Sequence, residues 1–133
     1  MREVLRVCWE LTQELRNERG RLKELREMAA ALVNEADGLP RGESQASKVE
    51  KLTVLIIDSE NRIAALEAVK SECVIELRGL LEGLIGDSAM RAVLLLRYGY
   101  CKLFRDIGLK LGYSESRVYQ LHSAGLKRIA VSL

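Results

Sequence analysis

Two long stretches of this chain carry apolar residues at alternating steps of three and four, and that pattern leaves few folds open. With Cys8 at position a, the first seam runs Val4, Cys8, Leu11, Leu15, Glu18, Leu22, Leu25, Ala29, Leu32, Ala36. Only Glu18 breaks it. The second runs Val49, Leu52, Ile56, Ser59, Ile63, Leu66, Lys70, Cys73, Leu77, Leu80, Leu84. A period near 3.5 keeps such side chains on one helix face, while the Arg- and Glu-rich residues between them face water. Gly20 weakens the first helix by about 1 kcal/mol relative to Ala but does not end its pattern.

Between the seams, Asp37 to Ala46 holds two Gly and the only Pro, which predicts a loop. Ser47 and Glu50 have capping-box spacing and predict the start of the second helix, with Ser44 as an alternative one turn earlier. Long helices joined by a short loop fold back as an antiparallel hairpin. If the loop centre sets the register, facing positions sum to about 84 from helix geometry. Leu32 then faces Leu52, Leu25 faces Ser59, Leu11 faces Cys73, and Glu18 lies within a turn of Lys70. A Glu18–Lys70 ion pair and two side chains reaching separately to water are both compatible with that spacing. The same seam would also serve a coiled-coil dimer.

Gly79, Gly83 and Gly86 thin out the end of the second helix, allowing either close packing or a bend. Asp87 or Ser88 then caps a third helix, in which Met90, Val93, Leu94, Leu95 and Leu96 leave almost no polar face before Arg97 and Tyr98. A helix apolar nearly all round belongs in a core. Gly99 to Lys102 reads as a link.

Next come two short helices broken by a tight turn. Leu103, Phe104, Ile107 and Leu111 form an apolar face, and Gly112 supplies a left-handed stop. Ser114 is placed to cap the following helix. Val118, Leu121 and Gly125 fall on its inward face, and Arg117, Tyr119, Gln120 and Ser123 face outward. This is a helix-turn-helix pattern, whose second helix can enter the major groove of DNA.

Charge supports that reading. Residues 1–86 hold 13 Lys and Arg against 16 Asp and Glu, a net of −3, whereas residues 87–133 hold 8 against 3, a net of +5. The basic charge is concentrated on the segment that would meet phosphate. Scarce aromatics and a single Pro favour an all-α chain over a β-sandwich. Cys8, Cys73 and Cys101 are scattered and odd in number, and no secretory leader is evident. Free, buried thiols in a reducing cytoplasm are therefore expected. No apolar run has the length of a membrane span.

On a recognition helix covering about Ser114–Leu126, Glu115, Ser116, Tyr119, Gln120 and Ser123 are the candidates for reading base edges. Gln pairs with adenine, Glu accepts from cytosine, and Ser serves either. Lys102, Arg105, Lys110, Ser114, Arg117, Lys127 and Arg128 are the candidates for phosphate, Ser114 through the free N–H groups that follow it. Glu115 equally suits the helix dipole. Tyr113, more than Tyr119, suits packing, and so do Arg97, Tyr98 and the only His, His122. No Gly-rich phosphate loop, metal-ligand cluster or paired nucleophile and His points to an enzyme, and no cofactor is expected.

The stretch RYGYCKLFRDIGLKLGYSESRVYQLHSAGLKRIA resembles the region-four helix-turn-helix of bacterial sigma factors. It is still more similar to the phage and prophage late-gene regulators of the ArpU and RinA type. The similarity is carried by Leu94, Arg97, Tyr98, Phe104, Asp106, Ile107, Leu111, Gly112, Tyr113, Ser114, Arg117, Val118, Tyr119, Leu121, His122, Gly125 and Leu126. Leu103 stands where the family carries a capping Ser or Thr. Gly108 and Gly125 stand where Ala is usual, and Glu115 where housekeeping sigma factors carry a base-contacting Arg.

The resemblance implies an all-α protein: a long antiparallel helical hairpin over residues 1–86, then a compact three-helix helix-turn-helix unit over 87–133. It implies a sequence-specific regulator in the bacterial host cytoplasm that binds double-stranded DNA. Possible partners are RNA polymerase and a second copy held through the hairpin. A small terminase-like DNA-packaging subunit and a purely protein-binding helical module are the alternatives.

Overall fold

The computed structural model describes residues 2–36 and 43–132, and the described residues are all-α. Helix α1 spans Arg2–Ala36, α2 Glu43–Leu84, α3 Ser88–Leu94, α4 Phe104–Leu111 and α5 Glu115–Ser132. A π-helical turn, Leu95–Gly99, continues α3. Helix α2 starts at Glu43, so Ser47 and Glu50 lie inside it and do not open it. The rest of the expected loop lies outside the described residues. Among the described residues no helix is long and apolar enough to cross a membrane.

Two compact units divide the chain: Glu14–Glu67, and Met1–Gln13 together with Ala68–Leu133. In the first, α1 and α2 run antiparallel. Leu15, Leu22, Leu25 and Leu52 are buried along the seam, each contributing about 1.5–3 kcal/mol if fully withdrawn from water. Exposed ion pairs Arg19–Glu67, 2.8 Å, and Arg26–Glu60, 3.0 Å, mark the register; pairs of this kind stabilise little. Glu18 finds partners within its own unit. Its Oε1 accepts from the Ser59 hydroxyl at 2.7 Å and lies 3.3 Å from Nε of Arg62. Ser59 is fully buried, so its hydroxyl must find an acceptor nearby, and Glu18 supplies it. Lys70 instead stands 5.3 Å from the centre of the Tyr100 ring.

The second unit has two cores. Leu5 and Cys8 from α1, Cys73, Leu77 and Leu81 from α2, and Ile85 pack with Leu94 and Ile129. Val93, Leu96, Ile107, Val118 and Leu121 form the other. The expectation of free thiols fails for two cysteines. Cys8 and Cys73 form a disulfide, Cα–Cα 6.0 Å, and Cys101 is the free, buried one. Cys8, one turn before the expected Leu11, is thus the residue close enough to Cys73 to bond, a pairing that cysteine spacing along the chain does not reveal.

Gly79, Gly83 and Gly86 have open space where a Cβ would stand, so no close packing depends on them. Asp87 caps α3, accepting from the N–H groups of Ala89 and Met90 at 2.8 and 3.2 Å. The Arg91 guanidinium donates to the carbonyls of Ile85 and Gly86 at 2.7 and 3.0 Å, fastening the α2–α3 junction. The helix that begins with α3 runs on through Gly99 as the π turn. It closes with the Lys102 N–H donating to the Leu96 carbonyl at 3.1 Å and with Cys101 at a φ of 51°.

Candidate nucleic-acid interface

The turn between α4 and α5 is encoded locally. Leu103 stands at the N-cap of α4 with no side-chain bond, and Gly112 closes that helix at a φ of 77°. A β-carbon there would meet the following carbonyl, at a cost of about 1–2 kcal/mol. The Tyr113 N–H donates to the Gly108 carbonyl at 2.9 Å, and the chain doubles back so tightly that a Cβ on Gly108 would lie 2.7 Å from the Tyr113 carbonyl oxygen. Glycine at 108 is therefore a steric requirement of the turn. Ser114 accepts from the Arg117 N–H at 3.2 Å, the capping bond expected for a helix opening at Glu115.

Helix α5 is seated by Val118, Leu121, Gly125 and Ile129, all buried. That anchorage turns the opposite side outward. Ser116, Tyr119, Gln120, Ser123 and Lys127 form one exposed stripe at steps of three and four. Glu115 lies on the edge shared with His122, and Arg117 and Arg128 lie on the other. Lys102, Arg105, Lys110 and Ser114 are exposed as well. Every candidate base reader and phosphate partner is thus accessible, and the base readers other than Glu115 share one stripe.

Tyr119 is also a packing residue, although it is more exposed than Tyr113. Its ring stacks on Phe104 with centroids 4.3 Å apart, while half its surface stays open to solvent. Beneath it Arg97, Tyr98 and His122, expected to pack, gather beside Trp9, which was not expected there. The Arg97 guanidinium sits 4.3 Å from the Phe104 ring centre and 4.8 Å from that of Trp9, and it donates to the Lys102 carbonyl at 3.0 Å. Tyr98 and His122 are stacked, and their Oη and Nε2 share a hydrogen bond of 2.9 Å. The signal for Trp9 was the residue itself, the single tryptophan, lying just off the seam of α1.

Burial, and after it the charge of Arg97, holds the His122 imidazole below its ordinary value; burial raises the Tyr98 hydroxyl. A depressed histidine means that the unfolded chain takes up the proton first as pH falls. Its stabilising contribution is complete above the usual imidazole range and is lost on acidification toward the folded value. The thermal midpoint is expected to fall between about pH 7 and pH 5, and His122→Gln should flatten that slope. A variant with the same slope as the parent would rule out His122 as its source.

Comparison of the chain with protein-family models, curated proteins and solved structures returns no match.

Proposed function

We propose that this chain is a sequence-specific double-stranded DNA-binding protein, a transcriptional regulator of the phage and prophage ArpU and RinA type, and not an enzyme. The observation that carries the reading is the exposed stripe on α5, polar along its centre and edged on one side by Arg117 and Arg128, on a helix anchored through its opposite face. A helix of this build offers hydrogen-bonding side chains to the major groove while flanking Lys and Arg hold the phosphates. The net +5 of residues 87–133 agrees with it.

The Glu14–Glu67 unit serves as a spacer or a contact surface, for RNA polymerase or for a second copy. Exposed Met28, Val33, Val54 and Ile57 support a contact role, since apolar surface of this kind marks interaction sites. The terminase-like and protein-binding alternatives are separated from the regulator by one experiment: retention of genomic fragments at two salt concentrations, with mass in solution. Selective, salt-sensitive retention of a fragment upstream of late genes is expected. A large ring on a packaging site would favour the terminase reading, and no retention at low salt would favour protein binding.

Within this reading Gln120→Ala should relax sequence preference by about 1–3 kcal/mol of discrimination. Lys127→Ala should weaken all sequences alike and reduce the salt slope by about one. Equal losses on preferred and random duplexes for Gln120→Ala would strike Gln120 from the base readers.

A further inference from the structure

The Trp9–Arg97–Phe104 cluster borders an open cleft of about 570 Å³ within the unit that carries α3 to α5. The size suits a small ligand. Its walls include the rings of Trp9, Tyr98, Phe104 and His122 beside Leu5 and Leu126. Among the described residues, the charged ones lining it are arginines: Arg2, Arg6 and Arg97. Arg6 is already engaged by Glu3 at 2.6 Å and Glu10 at 3.3 Å. The Arg2 side chain is exposed. Arg97, by contrast, is half-buried against the rings of Trp9 and Phe104.

We infer that this cleft binds a small planar aromatic anion. Three observations converge on that occupant. Aromatic walls favour a flat ring through stacking. A guanidinium held in place by two rings and by the Lys102 carbonyl is pre-organised, and its planar set of five donors matches a carboxylate bidentately. Its partial withdrawal from water strengthens the attraction for an anion, and among the described residues no carboxylate lines the cleft to compete for it. The backbone agrees: Arg97 and Tyr98 are presented by the π turn Leu95–Gly99, a distortion that concentrates at functional sites because it re-aims side chains out of the helical repeat. Burial, and after it Arg97, holds the His122 imidazole below its ordinary value, so at neutral pH the cleft's positive charge comes from arginine.

Trp9 is the only tryptophan, so its indole N–H resonance in a proton–nitrogen correlation spectrum reports occupancy of the cleft directly. Titration of the full chain with 2-naphthoate should shift that resonance saturably. The uncharged isostere 2-naphthylmethanol should bind about tenfold more weakly or worse. Arg97→Gln should abolish the preference for the acid; if that variant does not fold, the comparison of acid with alcohol on the parent chain still decides. Equal affinity for acid and alcohol would overturn the inference, as would no response to either. A shift produced by duplex DNA and by neither small probe would overturn it in favour of a phosphate contact. The small-probe titrations use no DNA, so they stand or fall separately from the regulator reading.

Discussion

Breaking the Cys8–Cys73 disulfide is expected to lower stability toward unfolding by about 4 kcal/mol. The bond joins residues 65 apart in sequence, and an unfolded chain relieved of so long a closed loop gains a correspondingly large conformational entropy. The folded state loses little, because Cys8 and Cys73 are buried beside Leu5, Leu77 and Leu81 and reduced thiols pack there as small apolar groups. Urea unfolding with and without reductant measures the difference, and Cys8→Ala/Cys73→Ala should be insensitive to reductant. Alkylation of the denatured chain checks the premise. One adduct is expected before reduction, on Cys101, and three after it. Three adducts without reductant would show that the disulfide is absent.

The second large effect concerns the contact between α3 and α5. Leu94 is fully buried in the core shared with Leu77 and Ile129, so Leu94→Ala should cost about 2–5 kcal/mol through lost burial and the cavity left behind. Gly125 sits directly against it: a Cβ there would stand 2.8 Å from Cδ1 of Leu94 and 3.3 Å from its Cγ. Gly125→Ala should therefore destabilise by about 1–3 kcal/mol through overpacking, despite the higher helix propensity of Ala. The two changes should not add. In the double variant the new methyl occupies space that the leucine vacates, so its cost falls below the sum of the singles by about 1 kcal/mol or more. Strict additivity in a thermal or urea cycle would mean that the helices approach differently at this point.

Gly108 and Gly125 also show where a reading of residue types stops. By helix propensity alone each is a weak point, because Ala would be the better helix former. In three dimensions a β-carbon at 108 would run into the Tyr113 backbone, and one at 125 would press on the Leu94 side chain. Neither neighbour is visible from spacing. Leu103 is the converse case. The lack of a capping side chain was legible, and α4 indeed starts at Phe104 with no side-chain bond at its N-cap.

The all-α class, the long helices, the Ser114 and Asp87 caps and the left-handed Gly112 were all readable from the chain itself. Each depends on residues within a turn or two of one another, where backbone geometry dictates which side chains can meet. The outward stripe of α5 was readable for the same reason, since burial of Val118, Leu121 and Gly125 determines what must face away. Only the tertiary structure decided that Glu18 serves Ser59 and Arg62, that Cys8 and Cys73 bond, and that Arg97 lies between Trp9 and Phe104. Those contacts join residues from distant parts of the chain. A slip of one residue along a helix moves a side chain by about 1.5 Å and turns it by about 100°, enough to substitute one partner for another without changing any local pattern.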